Sequence, residues 1–96
     1  MLVEPKALLN TKMWVPRADA MAVQNSLLKI PEFGYELALE KSKAKEKFPR
    51  KLKAVCFFID NNGFIENLKV EHQDEDECYA EYFGEKEEEI NYEVVL

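Results

Sequence analysis

The stretch Leu52–His72 constrains the fold more than any other part of the chain. Leu-Lys-Ala-Val-Cys-Phe-Phe-Ile-Asp is followed by Asn-Asn-Gly and then by Phe-Ile-Glu-Asn-Leu-Lys-Val-Glu-His. Two β-prone runs around Asn62-Gly63 predict a β-hairpin, because both residues tolerate the positive φ of a two-residue type I′ turn. That turn sets the pairs Ile59/Glu66, Phe57/Leu68 and Val55/Val70 on one face. Asp60/Ile65, Phe58/Asn67, Cys56/Lys69 and Ala54/Glu71 then fall on the other. The first set is the more apolar and is expected to face the core, since a slip of one residue would exchange the faces.

Flanking patterns supply the other elements. Ala7–Val15 alternates, with Leu9, Thr11, Met13 and Val15 on one side and Leu8, Asn10, Lys12 and Trp14 on the other, which predicts a strand ending at Pro16. From Arg17 to Ile30 the period becomes helical, with Ala20, Val23, Leu27 and Ile30 as a stripe that Met21 and Leu28 widen. Pro31 stops that helix. Glu32–Phe48 reads as a second helix or helical arm, with Leu37, Ala44 and Phe48 on one side and opposite charges at i+3 and i+4. Asp74-Glu75-Asp76-Glu77 opens a third helical pattern, with Cys78, Tyr79, Tyr82 and Phe83 apolar and Gly84 as its stop; a strand over Glu77–Phe83 is the alternative. Ile90–Leu96 alternates and predicts a closing strand with Ile90, Tyr92, Val94 and Leu96 inward.

The resulting order is strand, helix with arm, strand, strand, helix, strand. It predicts a single α+β domain over residues 1–96, with the ferredoxin-like split βαβ order, an extra helical arm and an antiparallel sheet. Its second face would be open and would carry Lys12, Trp14, Phe58, Ile65 and Lys69.

Ninety-six residues, about half of them apolar, suffice for one core without covalent staples. No run is long and apolar enough to span a membrane, the N-terminus does not read as a signal peptide, and two cysteines fall short of a disulfide framework. A cytoplasmic protein with reduced thiols is the expectation.

Charge is unevenly placed. Residues 1–70 carry twelve basic and eight acidic side chains, a net of +4, whereas residues 71–96 carry one basic and eleven acidic, a net of −10. Seven of the basic residues lie between Lys41 and Lys53. A basic collar and an acidic tail on one small domain point to oriented, salt-sensitive association.

The residue types that carry chemistry are sparse. Asp60-Asn61-Asn62-Gly63 with Glu66 lacks the glycine at position six and glutamate at position twelve of a calcium loop, and reads as a turn. His72 near Asp74, Asp76 and Cys78 falls short of a zinc ligand set. A Cys78–His72 dyad would sit in a strongly negative segment, which disfavours a thiolate. The glycines at 34, 63 and 84 are isolated and form no phosphate loop. No cofactor, no metal and no enzyme activity are therefore expected.

Two binding readings remain. Asp74, Glu75, Asp76, Glu77, Glu81, Glu85, Glu87, Glu88 and Glu89 can imitate a nucleic-acid backbone and occupy a partner's basic groove, as small phage inhibitors do. This leading reading makes the chain a non-enzymatic, phage-type inhibitor or regulator of a nucleic-acid-handling complex, docking on a protein partner. In the second, Lys12, Trp14, Phe58 and Lys69 stack on and flank single-stranded bases, while Lys43, Lys47, Arg50 and Lys51 contact phosphates. The aromatic-glycine strand motif of RNA-recognition domains is absent. An unpartnered edge strand and an apolar open face also fit a homodimer.

Pro31-Glu32-Phe33, the polar stretch to Pro49, the strand from Leu52 and the closing Ile90-Asn91-Tyr92-Glu93-Val94-Val95 resemble the small accessory domain that precedes the motor in some phage-type superfamily-two helicases. The resemblance covers much of the chain in its order of elements, and no motor lies within these residues. It implies a non-catalytic module that contacts nucleic acid.

Overall fold

A computed structural model describes residues 4–35, 47–71 and 88–96. After a 3-10 turn at Pro5–Leu8 come β1 (Thr11–Pro16), α1 (Arg17–Leu28), β2 (Gly34–Tyr35), β3 (Ala54–Ile59), β4 (Phe64–Val70) and β5 (Glu88–Glu89), and a second 3-10 turn at Tyr92–Val95 follows. The described strands form one sheet in the order β2-β4-β3-β1-β5. The α+β class is as expected, but the sheet is mixed. β3 runs antiparallel to β1 and β4, while the two-residue strands β2 and β5 are parallel to β4 and β1. The first strand thus lies directly beside the first strand of the hairpin, and the sheet is not the antiparallel one expected.

β1 begins later than its alternation implies. Asn10 takes φ 57°, a left-handed conformation that asparagine tolerates, and separates the 3-10 turn from the strand. From Thr11 the two faces are as expected: Met13 and Val15 are fully buried beneath α1, and Trp14 points the other way. Pro16 is the last residue of β1, and α1 starts at once. The N–H of Arg17, left without an intrahelical acceptor in the first turn, donates to the carbonyl of Lys53 at 3.2 Å. Asp19 places negative charge near the positive end of the helix dipole. Ala20, Val23 and Leu27 are fully buried and Leu28 and Ile30 nearly so, whereas Met21 is 45% exposed and leaves the predicted stripe.

The hairpin departs from the expected register by one residue. Cα partners are Ile59/Ile65, Phe58/Glu66, Phe57/Asn67, Cys56/Leu68, Val55/Lys69 and Ala54/Val70. The cause is Asp60. Its Oδ1 accepts hydrogen bonds from the N–H groups of Asn62 (2.8 Å) and Phe64 (2.9 Å), and its carbonyl accepts from Gly63 N–H at 3.1 Å. Gly63 has φ 82°, so the loop is a three-residue connection closed by a left-handed glycine, not the two-residue turn.

Val55, Phe57 and Ile59 do point into the core, all fully buried. On β4 the faces are exchanged relative to expectation: Ile65 joins the core, and Leu68 and Val70 move to the second face. Asn67 then faces inward opposite Phe57, and a polar relay compensates. Its Nδ2 donates to the Tyr35 hydroxyl at 3.1 Å, and that hydroxyl donates to Oε1 of the fully buried Gln24 on α1. A polar group taken out of water is tolerated when it is hydrogen-bonded.

Helix was expected over Glu32–Phe48, but its described ends are not helical. A turn at Pro31-Glu32 leads into β2, where Gly34 N–H donates to the Gly63 carbonyl at 3.1 Å. At the other end Phe48 packs edge-to-face on Phe57, with ring centroids 5.8 Å apart. Leu37 and Ala44 lie outside the described residues, as does the helix expected from Asp74 to Phe83. The closing strand is also corrected. After β5 the chain turns, because Asn91 Oδ1 accepts from Glu93 N–H at 2.9 Å and caps the 3-10 turn. Val95 is consequently the most buried residue here, Ile90, Tyr92 and Val94 pack partly buried against the core, and Leu96 is 53% exposed.

Candidate binding surfaces

The sheet's second face is not the open surface expected. Cys56 is fully buried, Val70 is 2% exposed and Lys12 is 9% exposed, with Trp14, Phe58 and Leu68 half-buried around them. Lys12, Trp14 and Phe58 do share this face, since Lys12 opposes Phe58 and Trp14 opposes Cys56 across β1 and β3. Lys69 and Ile65 do not. The changed register carries both to the α1 side, where Lys69 is exposed because β2 borders β4 only at Phe64 and Ile65. In their place Glu66, an exposed carboxylate, stands beside Phe58.

Lys47, Arg50 and Lys51 are exposed on the segment that leads into β3. Arg17 holds this segment in place: its Nη2 donates to the Phe48 carbonyl at 3.1 Å, while its Nε is buried without a hydrogen-bond partner. Lys51 Nζ lies 3.1 Å from Glu71 Oε1, an exposed ion pair of little energetic weight. Lys43 lies outside the described residues.

Of the acidic residues, Asp74, Glu75, Asp76, Glu77, Glu81, Glu85 and Glu87 lie outside the described residues, as do His72 and Cys78. Glu88 and Glu89 are described, and both are exposed. They form β5, with Glu88 beside Thr11 and Glu89 beside Lys12. Neither makes an ion pair with a described residue. The edge of the sheet beside β1 therefore presents two carboxylates to solvent.

Beyond β5 lies a cleft that the sequence did not announce. Trp14, Glu89, Ile90, Asn91 and Tyr92 line an open cleft of about 430 Å³. Ile90 N–H donates to the Lys12 carbonyl at 3.0 Å, which extends the β1–β5 pairing by one bond and brings the C-terminal turn against β1. Tyr92 OH donates to Asp19 Oδ2 at 2.6 Å. That bond, with partial burial and the negative charges of Asp19 and Glu93, raises the Tyr92 pKa above its ordinary 10.0 and keeps the phenol neutral. Strict alternation placed Tyr92 on a strand, and no local signal ties it to Trp14.

Two larger grooves share Pro5 and Glu32 in their linings. One, about 530 Å³, runs past Leu9, Phe33 and the hairpin turn; the other, about 540 Å³, lies among Ile30, Pro31, Val95 and Leu96. Both mix lysine and glutamate on their rims. Among the described residues no group of three or more His, Cys, Asp or Glu is placed to hold a metal ion, and no helix is long and apolar enough to cross a membrane.

Comparison of the chain with protein-family models, with curated proteins and with solved structures found no match.

Proposed function

We propose that this chain is a non-catalytic binding protein that docks on a basic surface of a protein partner through its acidic C-terminal third. On this reading it acts as a phage-type inhibitor or regulator of a nucleic-acid-handling complex, by occupying a surface that nucleic acid would use. The observation that carries the reading is β5. Two glutamates without ion pairs to described residues are held in register on a sheet edge, within residues 71–96, whose net charge is −10. Carboxylates on a hydrogen-bonded strand are pre-positioned, so less conformational entropy is lost when a cationic surface meets them.

The alternative, a nucleic-acid-binding accessory module, keeps the exposed Lys47, Arg50 and Lys51. It is weakened at the stacking face, where Lys12 is buried, Lys69 lies on the other side and Glu66 adjoins Phe58.

Calorimetric titration with a lysine- and arginine-rich peptide, beside anisotropy with labelled single-stranded DNA, tests the reading. The basic peptide is expected to bind, more weakly as salt rises, and the double variant Glu88→Lys/Glu89→Lys is expected to lose most of that binding. Glu4→Lys/Glu32→Lys makes the same change in net charge at other exposed positions and is expected to keep it. DNA binding with a steep salt dependence and no uptake of the basic peptide would overturn the proposal.

A further inference from the structure

The cleft beside β5 has a composition unlike the other grooves. Two aromatic rings, Trp14 and Tyr92, line it together with one carboxylate, Glu89, and one side-chain amide, Asn91. Its volume of about 430 Å³ falls within the range of roughly 300–1,000 Å³ usual for ligand clefts. Both rings are half-buried. The Tyr92 ring is further fixed by its hydroxyl, which is committed to Asp19 Oδ2 at 2.6 Å and so adds a second carboxylate behind the ring. Glu89 makes no ion pair with any described residue, including Lys12, its buried cross-strand neighbour. Glu88 and Glu93, both exposed, adjoin the cleft in sequence and add negative potential.

Aromatic faces attract cations through their quadrupole, and a carboxylate at the rim supplies the opposing charge. An anion would meet repulsion from Glu89 and from the neighbouring Glu88 and Glu93. A neutral apolar ligand would leave Glu89 and Asn91 facing it. Among cations, a planar guanidinium both stacks on a ring and forms a two-pronged hydrogen bond with a carboxylate, which an ammonium cannot do.

We propose that the cleft lined by Trp14, Tyr92 and Glu89 is an arginine-side-chain pocket, in which the partner's guanidinium stacks on an aromatic ring and pairs with Glu89. This rests on the docking reading above and specifies its contact: the acidic edge draws a basic surface in, and the cleft selects one arginine from it. The backbone bonds of β5 to β1 hold Glu89 and Trp14 on neighbouring strands, so the pocket exists before the partner arrives.

Trp14 is the sole tryptophan of the chain, so its emission reports on the cleft directly. The full chain is titrated with N-acetylarginine amide and, in parallel, with N-acetylcitrulline amide, which keeps the shape and lacks the charge. A saturable change in Trp14 emission is expected with the arginine compound, with affinity on the order of tenfold weaker for the citrulline compound. Glu89→Gln, at an exposed position that leaves the fold intact, is expected to weaken arginine binding by about the same factor. Tyr92→Leu, checked for folding by circular dichroism, is expected to abolish saturation. Equal, non-saturating responses to both compounds, or arginine binding unchanged in Glu89→Gln, would overturn the pocket. If a basic peptide binds in a salt-dependent way while the arginine compound leaves Trp14 unmoved, the pocket falls and the docking reading stands. Saturable arginine binding without uptake of the peptide gives the converse.

Discussion

The hydroxyl of Tyr92 donates a 2.6 Å hydrogen bond to Asp19 Oδ2, joining the C-terminal 3-10 turn to the first turn of α1. Among the described residues, this bond ties the turn that follows β5 to the helix layer. It also sets one wall of the cleft beside Trp14.

A pH dependence follows from this pair. The Tyr92 phenol holds its proton more tightly in the folded chain than its ordinary value of 10.0. The folded state thus binds more protons than the unfolded one across the interval between the two values, and stability falls with pH there. The contribution is fully present below pH 10.0 and is lost as pH rises through the higher folded-state value. Ultraviolet titration of the Tyr92→Phe variant is expected to lose a late-ionising tyrosine that the unsubstituted chain shows. A titration unchanged by that substitution would contradict the assignment.

The hairpin loop makes a second prediction. An added Cβ at Gly63, where φ is already +82°, would collide with the backbone carbonyl oxygen of Glu32. Gly63→Ala is therefore expected to lower stability in urea denaturation by about 1–3 kcal/mol. Asp60→Ala loses two side-chain acceptor bonds and is expected to cost about 1–2 kcal/mol, with Asp60→Asn milder because its amide oxygen can still accept. If Asp60→Ala were neutral, the explanation for the register would fail.

The two faces of β3 differ in what they lose on truncation. Phe57 is fully buried against Phe48, and Phe57→Ala is expected to cost about 3–5 kcal/mol. Phe58 is half-buried on the second face, and Phe58→Ala is expected to cost clearly less. The reverse ranking would invert the face assignment on which every surface described above depends.

The relay between Asn67, Tyr35 and Gln24 is expected to behave as a unit. Tyr35→Phe removes the hydroxyl that both amides use, and a loss of about 1–3 kcal/mol is expected. In a double-mutant cycle, Tyr35→Phe combined with Asn67→Ala is expected to cost less than the separate losses added together. Strict additivity would show the two groups to be independent.

How much of this was legible beforehand differs by element. The inward set Val55, Phe57 and Ile59, the Met13 and Val15 side of β1 and the Ala20, Val23 and Leu27 stripe of α1 could all be read from spacing. The candidate surfaces could be read only in part. Lys12, Trp14 and Phe58 were correctly grouped, yet Lys69 was placed with them, and the cleft between Trp14 and Tyr92 left no trace in the local pattern. Alternation in Ile90–Leu96 suited a strand equally well, and only the Asn91 cap distinguishes the turn that forms.

The order of residues by itself determined which side of β1, α1 and β3 faces the core, because side chains repeat every two residues along a strand and every 3.6 along a helix. It also placed the charge, net positive before residue 71 and strongly negative after it. Tertiary structure alone decided the hairpin register, the neighbours of β1 and the placing of Trp14 and Tyr92 on one cleft. Those depend on a side chain capturing loop N–H groups and on contacts between residues far apart in the chain. Registers one residue apart put opposite faces of β4 inward, and the apolar pattern favours the one that does not form. The choice falls to the few hydrogen bonds, at Asp60 and between Tyr35 and Asn67, that one arrangement satisfies and the other does not.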